Sequence, residues 1–253
     1  MNAVLRTSNL CKSFGSINVT QDFNLALAVG TRHALIGPNG AGKTTLVNQL
    51  TGMLRPSSGS IWLDGEEITH LAQEERVRRG LSRTFQINTL FANLTPLEAV
   101  TSAICERERD NFSVLQRRLF PLSRRRAEID EAYQLLDQLK LGQDCLRKTH
   151  ELAYGKQRLL EMALALAVRP KVLLLDEPAA GVPEGESNDL FDVLSDLPKD
   201  ITILLIEHDM SLVFRFAQSM TVMVAGAELV SGTPAEIAQD PRVREVYLGK
   251  GHV

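Results

Sequence analysis

Apolar and polar positions along the chain fall into two regimes. Near-continuous apolar runs stand at Ala34–Ile36, Val172–Leu175 and Ile201–Ile206. Such runs suit parallel strands buried on both faces. Ser60–Leu63 ends in Asp64-Gly65, a turn signal after a strand. From about residue 88 the apolar spacing becomes helical. Thr95-Pro96-Leu97-Glu98 combines an N-cap threonine, proline at the first helical position and glutamate three after the cap. Ala132, Leu135, Leu136 and Leu139 share one helical face, with Gly142 as the expected stop. Leu159–Val168 is apolar nearly all round, which predicts a buried helix. The pattern predicts an α/β chain interrupted by helices: a core over 1–87 and 168–253, and an inserted helical subdomain over 88–167.

Composition narrows this little. The 253 residues allow one large domain or two small ones. At 44% apolar and 23% charged, the chain is neither disordered, collagen-like nor a coiled coil as a whole. Its 28 basic and 31 acidic residues give a net charge of -3, so no global basic field points to nucleic acid. Cys11, Cys105 and Cys145 are odd in number and far apart. That spacing indicates neither a disulfide framework nor a zinc site, and fits reduced thiols in a cytoplasm. Met162–Val168 is far short of the roughly 20 apolar residues a spanning helix needs. The first fifteen residues lack an apolar signal-peptide core. A soluble chain is expected, with any membrane role exercised through a partner.

The chemistry begins at Gly37-Pro38-Asn39-Gly40-Ala41-Gly42-Lys43-Thr44, which fits G-x-x-x-x-G-K-[ST]. A polyphosphate needs several backbone N–H groups converging on it, so the loop must curl without Cβ clashes. A helix opening near Gly42 adds the positive end of its dipole. Lys43 is the residue to reach the β- and γ-phosphates, and the Thr44 hydroxyl the one to bind Mg²⁺; Thr45 continues the loop into the helix. The apolar run before the loop and the spacing of Leu46, Val47 and Leu50 after it give the strand–loop–helix context the motif requires. This motif indicates a nucleoside triphosphate without separating kinases, GTPases and motor ATPases.

Val172–Leu175 runs into Asp176-Glu177-Pro178, a buried strand ending in two carboxylates. Asp176 is placed to hold Mg²⁺, and Glu177 to accept a proton from attacking water. An acidic loop after a core strand is common, so the pair gains meaning from following a phosphate loop.

With these motifs in order, the chain resembles the ATP-binding subunits of ABC transporters over nearly its whole length. The resemblance implies a P-loop NTPase (RecA-like) α/β core with an antiparallel β subdomain and the inserted helical subdomain. It implies that Phe14 stacks on adenine and that Gln86, in Arg83-Thr84-Phe85-Gln86, contacts Mg²⁺ and the attacking water. Leu152-Ala153-Tyr154-Gly155-Lys156-Gln157 occupies the place of the signature motif, so Ala153, Tyr154 and Gly155 would face nucleotide bound by a second subunit. His208, in Ile206-Glu207-His208-Asp209, matches the switch histidine at the γ-phosphate. Taken singly, Phe14 also reads as a core or surface aromatic and His208 as a surface histidine. Their joint order carries the resemblance.

Arg83–Gln86, Leu152–Gly155, Asp176–Gly181, Asp240-Pro241 and Val246–Gly249 resemble the ATPases of branched-chain amino acid importers. That branch uses two related ATPases. The arginine-rich stretch 107–126, with Arg117, Arg118, Arg124, Arg125 and Arg126, resembles the extra residues of the longer one. The stretch reads first as a solvated helical face, and otherwise as a contact with permease, membrane surface or nucleic acid. The implied partners are membrane permease subunits, a second related ATPase in a heterodimer or a second copy in a homodimer, and, indirectly, an external solute-binding protein. No nucleic acid partner is expected. The implied location is the cytoplasmic face of the inner or plasma membrane, as a peripheral subunit. ATP and Mg²⁺ are the implied ligands. Two departures stand out: Ala153 replaces the usual signature serine, and Pro183 lies near the usual D-loop aspartate. The rival readings are a soluble ABC ATPase acting on DNA or the ribosome, which usually carries two cassettes in one chain, and a metabolic P-loop kinase.

Overall fold

The computed structural model describes residues 3–84, 91–108 and 125–248. Gln86, Arg117, Arg118, Arg124 and Gly249 lie outside the described residues. The chain divides into two compact units, one of Met1–Arg83, Lys171–Pro178 and Pro198–Val253, the other of Thr84–Pro170 and Ala179–Leu197. The stretch expected as a helical insertion, 88–167, lies within the second.

The strands in chain order are β1 (Ala3–Phe14), β2 (Ile17–Ala28), β3 (Arg32–Ile36), β4 (Ser58–Leu63), β5 (Glu66–Glu67), β6 (Leu81–Arg83), β7 (Val172–Asp176), β8 (Thr202–Ile206), β9 (Ser219–Val224) and β10 (Ala227–Gly232). All belong to the first unit. They form a four-stranded antiparallel sheet in the order β2-β1-β4-β5 and a six-stranded sheet in the order β10-β9-β3-β8-β7-β6. The second is parallel except for the β9–β10 pair. Every residue of β3 and β8 is buried, as the unbroken apolar runs required. In β1, buried and less buried positions alternate over part of the strand, as in a sheet with one wetter face.

One apolar core joins the sheets. Leu5, Leu10, Phe23 and Leu25 of the antiparallel sheet pack with Leu35, Leu174, Leu204 and Ile206 of the parallel one. Leu46, Val47 and Leu50 of helix α1 (Lys43–Thr51) complete it. Helix α1 ends at Gly52 in the left-handed region (φ 83), a conformation that glycine takes without a Cβ penalty. Its last carbonyls are claimed by Arg76 of α2 (Gln73–Arg78), which is buried and donates to Gln49 O (2.7 Å), Leu50 O (2.6 Å), Thr69 O (2.9 Å) and Leu71 O (3.1 Å). Burial pushes this guanidinium down to about 10. A cation at the negative end of the helix dipole thereby anchors the helix that follows the phosphate loop. In β3, His33 is buried, with Nδ1 2.7 Å from Ser219 Oγ and Nε2 3.0 Å from Thr221 Oγ1. Desolvation pushes it down to about 4.

The second unit is built on α3 (Pro96–Arg107), α4 (Arg126–Gln138), α5 (Tyr154–Ala167) and α6 (Glu184–Ser195). The Thr95–Glu98 capping box forms at both ends: Glu98 N donates to Thr95 Oγ1 (3.2 Å) and Thr95 N to Glu98 Oε2 (2.7 Å). Ala132, Leu136 and Leu139 are buried, and Leu135 half-buried. The stop differs from expectation. Lys140, not Gly142, takes the left-handed conformation (φ 58), with Lys140 N donating to Asp137 O and Leu141 N to Leu136 O. That double closure satisfies the last-turn carbonyls and offsets roughly 1 kcal/mol of left-handed strain at a residue with a Cβ. At Gly142 a Cβ would meet only the carboxylate end of the exposed Asp137 side chain.

Candidate functional site

The parallel sheet brings the phosphate loop, Asp176, Glu177 and His208 to one edge, while Phe14 ends β1 of the antiparallel sheet. The phosphate loop follows β3, Asp176 ends β7, Glu177 comes directly after it, and His208 stands two residues past β8. Arg83 ends β6, next to β7. The carboxyl ends of parallel strands are where open α/β sheets bind ligands.

The loop keeps a curl that side chains would prevent. A Cβ on Gly37 would collide with the Met223 carbonyl, and one on Gly42 (φ 103) would sit 2.5 Å from Val19 O. Asn39 and Gly40 are exposed, Pro38 half-buried and Ala41 buried. Gly42 stands at the N-cap of α1 and brings no side-chain cap, so the opening amides of the helix are left to a ligand. Lys43 Nζ donates to Gly37 O (2.6 Å) and Pro38 O (3.0 Å). Burial lowers the Lys43 pKa, partly opposed by Glu177 and then Asp176. Thr44 is exposed and Thr45 half-buried. The phenol of Tyr247, pushed up to about 12 by burial, meets the Gly37 backbone.

Beyond the loop, two pairs of side chains dominate. Glu177 is held in the left-handed region (φ 50) by its backbone N–H bond to Ile206 O (2.8 Å), and its Oε1 lies 2.5 Å from His208 Nε2. Both side chains remain substantially exposed, at 41% and 45%. A non-glycine residue in this conformation is strained, and strain of this kind gathers at working sites. The His208 backbone N–H donates to Glu207 Oε2 (2.8 Å), and the next residue, Asp209, caps α7 (Met210–Phe216), accepting from Ser211 N (2.9 Å) and Leu212 N (3.4 Å). The second pair is Arg83 Nη2 with Asp176 Oδ2, at 2.6 Å. The Phe14 ring is half exposed (51%), with Lys12 Nζ 5.0 Å from its centroid and donating to Arg55 O. Lys12 was within reach of sequence reasoning, since positions two apart share a strand face.

The donor set fits Mg²⁺. Thr44 offers a hydroxyl and Asp176 a carboxylate, the hard oxygens that suit this ion. Among the described residues no three His, Cys, Asp or Glu side chains gather to hold a metal by themselves. An ion here would therefore take its remaining oxygens from nucleotide phosphates and water, the usual arrangement for Mg²⁺ in ATPase sites. Gln86 lies outside the described residues.

The signature residues belong to the second unit. Ala153 is the N-cap of α5 and gives its first turn no side-chain cap. Tyr154 donates from its hydroxyl to Ala180 O (3.1 Å), with the Arg158 guanidinium 5.3 Å from its ring centroid. Gly155 is buried, and a Cβ there would run into the Glu186 carboxylate. The buried pair Arg158–Glu161 (2.9 Å) follows, with burial pushing Glu161 up to about 6 against the opposing pull of Arg158. Pro183 caps α6 without a side-chain hydrogen bond.

A phosphate loop between a parallel strand and its helix, with Asp176 and Glu177 at the end of the strand two places along the same sheet, defines a P-loop nucleotide-binding protein. The profile of the ABC transporter family matches residues 20–180, and the chain belongs to that family as one of its ATPase cassettes. Residues 229–253 match a second profile, the branched-chain amino acid ATP-binding cassette transporter. The chain is 39% identical over 251 residues to the high-affinity branched-chain amino acid transport ATP-binding protein BraF of Pseudomonas aeruginosa, covering 98% of each chain. It is 36% identical over 252 residues to LivG of Escherichia coli, again covering 98% of each. Among solved structures, the ADP conformation of MJ1267, an ATP-binding cassette of an ABC transporter, matches with a TM-score of 0.85 and 31% identity, over 99% of this chain and 100% of that one. No helix among the described residues is long and apolar enough to cross a membrane.

Proposed function

We propose that this chain is the ATP-hydrolysing subunit of an importer for branched-chain amino acids, the longer of the two ATPases such importers use. The observation that carries this reading is the gathering of Lys43, Asp176 and the Glu177–His208 pair on one sheet edge. The full-length identity to BraF and LivG supports the cargo. In this reading the loop 37–45 and Lys43 bind the ATP phosphates, and Phe14 stacks on the adenine. Thr44 and Asp176, with Gln86, would hold Mg²⁺, which offsets phosphate charge when bound. Glu177 accepts the proton of the attacking water, and His208 aligns the carboxylate and reaches the γ-phosphate. The core is 1–87 with 168–253, and the helical subdomain 88–167 carries Ala153, Tyr154 and Gly155 toward ATP held by a second, related ATPase. Closure on ATP and release after hydrolysis bias a permease between two states. The subunit works peripherally on the cytoplasmic face, with an external binding protein delivering solute.

The test is uptake of labelled leucine, isoleucine and valine into vesicles holding the purified transporter, its permease and its binding protein. ATP-dependent uptake that Lys43→Ala abolishes is expected. Transport of other solutes with none of these three overturns the cargo, and uptake indifferent to Lys43→Ala overturns the ATPase role.

A further inference from the structure

Arg83 stands outside every role given so far, yet its guanidinium bridges two elements at the sheet edge. It ends β6, and its side chain is 15% exposed. One arm of its guanidinium, Nη1, donates to Asn48 Oδ1 at 2.9 Å. The other, Nη2, pairs with Asp176 Oδ2 at 2.6 Å. Asn48 lies one helical turn beyond Thr44 on α1. The fork therefore ties the helix that carries Thr44 to the strand that ends in Asp176. Asp176 Oδ1 meets no hydrogen-bond donor among the described residues, whereas Oδ2 is fixed.

We propose that Arg83 is a positioning residue for the metal-binding carboxylate: it fixes Asp176 Oδ2 to α1 through Asn48, and so sets Oδ1 and the Thr44 hydroxyl at the spacing a phosphate-bound divalent cation requires. The proposal rests on the reading that Asp176 and Thr44 hold Mg²⁺. A planar, always-charged fork does this where an ammonium cannot, because only the fork reaches two acceptors on two elements in one fixed plane. Partners that orient a metal-binding group are typically worth 10–100-fold in metal affinity when removed.

The experiment measures binding of a fluorescent ATP analogue to the purified full chain as a function of Mg²⁺, and again in EDTA. Arg83→Met, Arg83→Lys, Asn48→Ala and Asp176→Asn are compared with the unaltered chain. Arg83→Met is expected to raise the Mg²⁺ concentration for half-maximal enhancement about 10-fold or more, with binding in EDTA unchanged. Arg83→Lys should fall near Arg83→Met, and Asn48→Ala between that variant and the unaltered chain. An Mg²⁺ requirement that is unchanged or lower in Arg83→Met overturns the proposal, a lower one meaning that the guanidinium competes with the cation. Equal losses with and without Mg²⁺ overturn it as well, because a merely structural role acts on both. If Arg83→Met destabilises the fold, Asn48→Ala, which keeps the ion pair and breaks only the tie to α1, decides by the same criteria. Asp176→Asn separates the two levels. If it alone loses the Mg²⁺ response, Arg83 has no positioning role while the carboxylate assignment stands, and if it keeps the response, that assignment fails too.

Discussion

The sheet edge of the first unit and the opening turn of α5 in the second are both phosphate-facing regions in the proposed reading, and they are built in opposite ways. At the sheet edge nearly every functional side chain has a partner within its own unit. Lys43 rests on loop carbonyls, Asp176 on Arg83, and Glu177 on His208. At α5 the helix opens at Ala153 with no side-chain cap, and the neighbouring polar group, the Tyr154 hydroxyl, is engaged with Ala180. The first region carries ionisable groups that can move a proton. The second offers backbone donors and a helix dipole, which bind an anion but cannot take a proton from water. In the proposed reading one chain thus supplies chemistry at one place and recognition at another, as a subunit whose working site needs two chains would.

The largest expected effect tests the first half of that contrast. Glu177→Gln keeps the shape but cannot accept a proton. Turnover of the permease-bound complex should fall by about 10²–10⁴-fold, while ATP binding survives. Near-normal hydrolysis by that variant would remove Glu177 from the mechanism and leave the sheet edge a binding site only.

The contrast was partly legible in the sequence. The phosphate loop, β3 and the Thr95–Glu98 capping box were readable because each is set by residues a few positions apart. The buried runs of β7 and β8 were readable because strands covered on both faces carry no polar positions. The Arg83–Asp176 pair was not, since it depends on β6 lying beside β7, a pairing between residues 93 apart in sequence. Buried Arg76 was equally hidden, because its acceptors are all backbone carbonyls and no acidic side chain marks its position. Gly155 was readable only through the resemblance, as a signature residue facing a second subunit's nucleotide. The tertiary structure adds that the end of the Glu186 side chain rests where a Cβ on Gly155 would lie.

Those two reasons for Gly155 can be separated. In Gly155→Ala the new methyl meets only the end of the exposed Glu186 side chain, which can turn away, so the second unit should stay within about 1 kcal/mol of its stability in a denaturant titration. The double variant with Glu186→Ala removes that contact altogether. If transporter ATPase activity is lost in Gly155→Ala and returns in the double variant, glycine is needed for packing alone. If activity stays low in the stable double variant, the close approach of a phosphate to the helix is the stronger demand, and the contrast between the two regions is sharpened.

Acid separates the units by sign. His33 in the first unit is held near 4, below its ordinary 6.5, so the folded state binds fewer protons than the unfolded one between those values. Its contribution is fully present above pH 6.5 and lost as pH falls through that window, by about 2 kcal/mol at pH 5. Glu161 in the second unit is held near 6, above 4.5, so the folded state binds more protons and stability rises as pH falls from 6 toward 4.5. That gain is about 1 kcal/mol at pH 5. Amide exchange at pH 7 and pH 5, corrected for intrinsic rates, should show β3 and β8 loosening while α5 tightens. Parallel loosening of both would mean that Glu161 stays ionised beside Arg158.

The smallest effect concerns the position where the second region departs from its family. In Ala153→Ser the new hydroxyl sits at the N-cap of α5, where it accepts from the Lys156 N–H and leaves its own proton for an outside acceptor. In the isolated chain this should stabilise the second unit by about 1 kcal/mol, the usual worth of a serine cap over alanine. In the assembled transporter the outcome depends on composition. With two copies of this chain, both signatures gain a hydroxyl and turnover rises at both sites. With a second, related ATPase, only the site that faces this chain's α5 gains, and that site is the one using the other subunit's phosphate loop. Turnover measured in a transporter whose subunits have been counted decides between them. A rise in Ala153→Ser that disappears when the other ATPase's own P-loop lysine is replaced places the hydroxyl at that subunit's ATP. A fully active transporter with two copies of this chain and no other ATPase would end the asymmetry and make Ala153 a shared weakness of both sites.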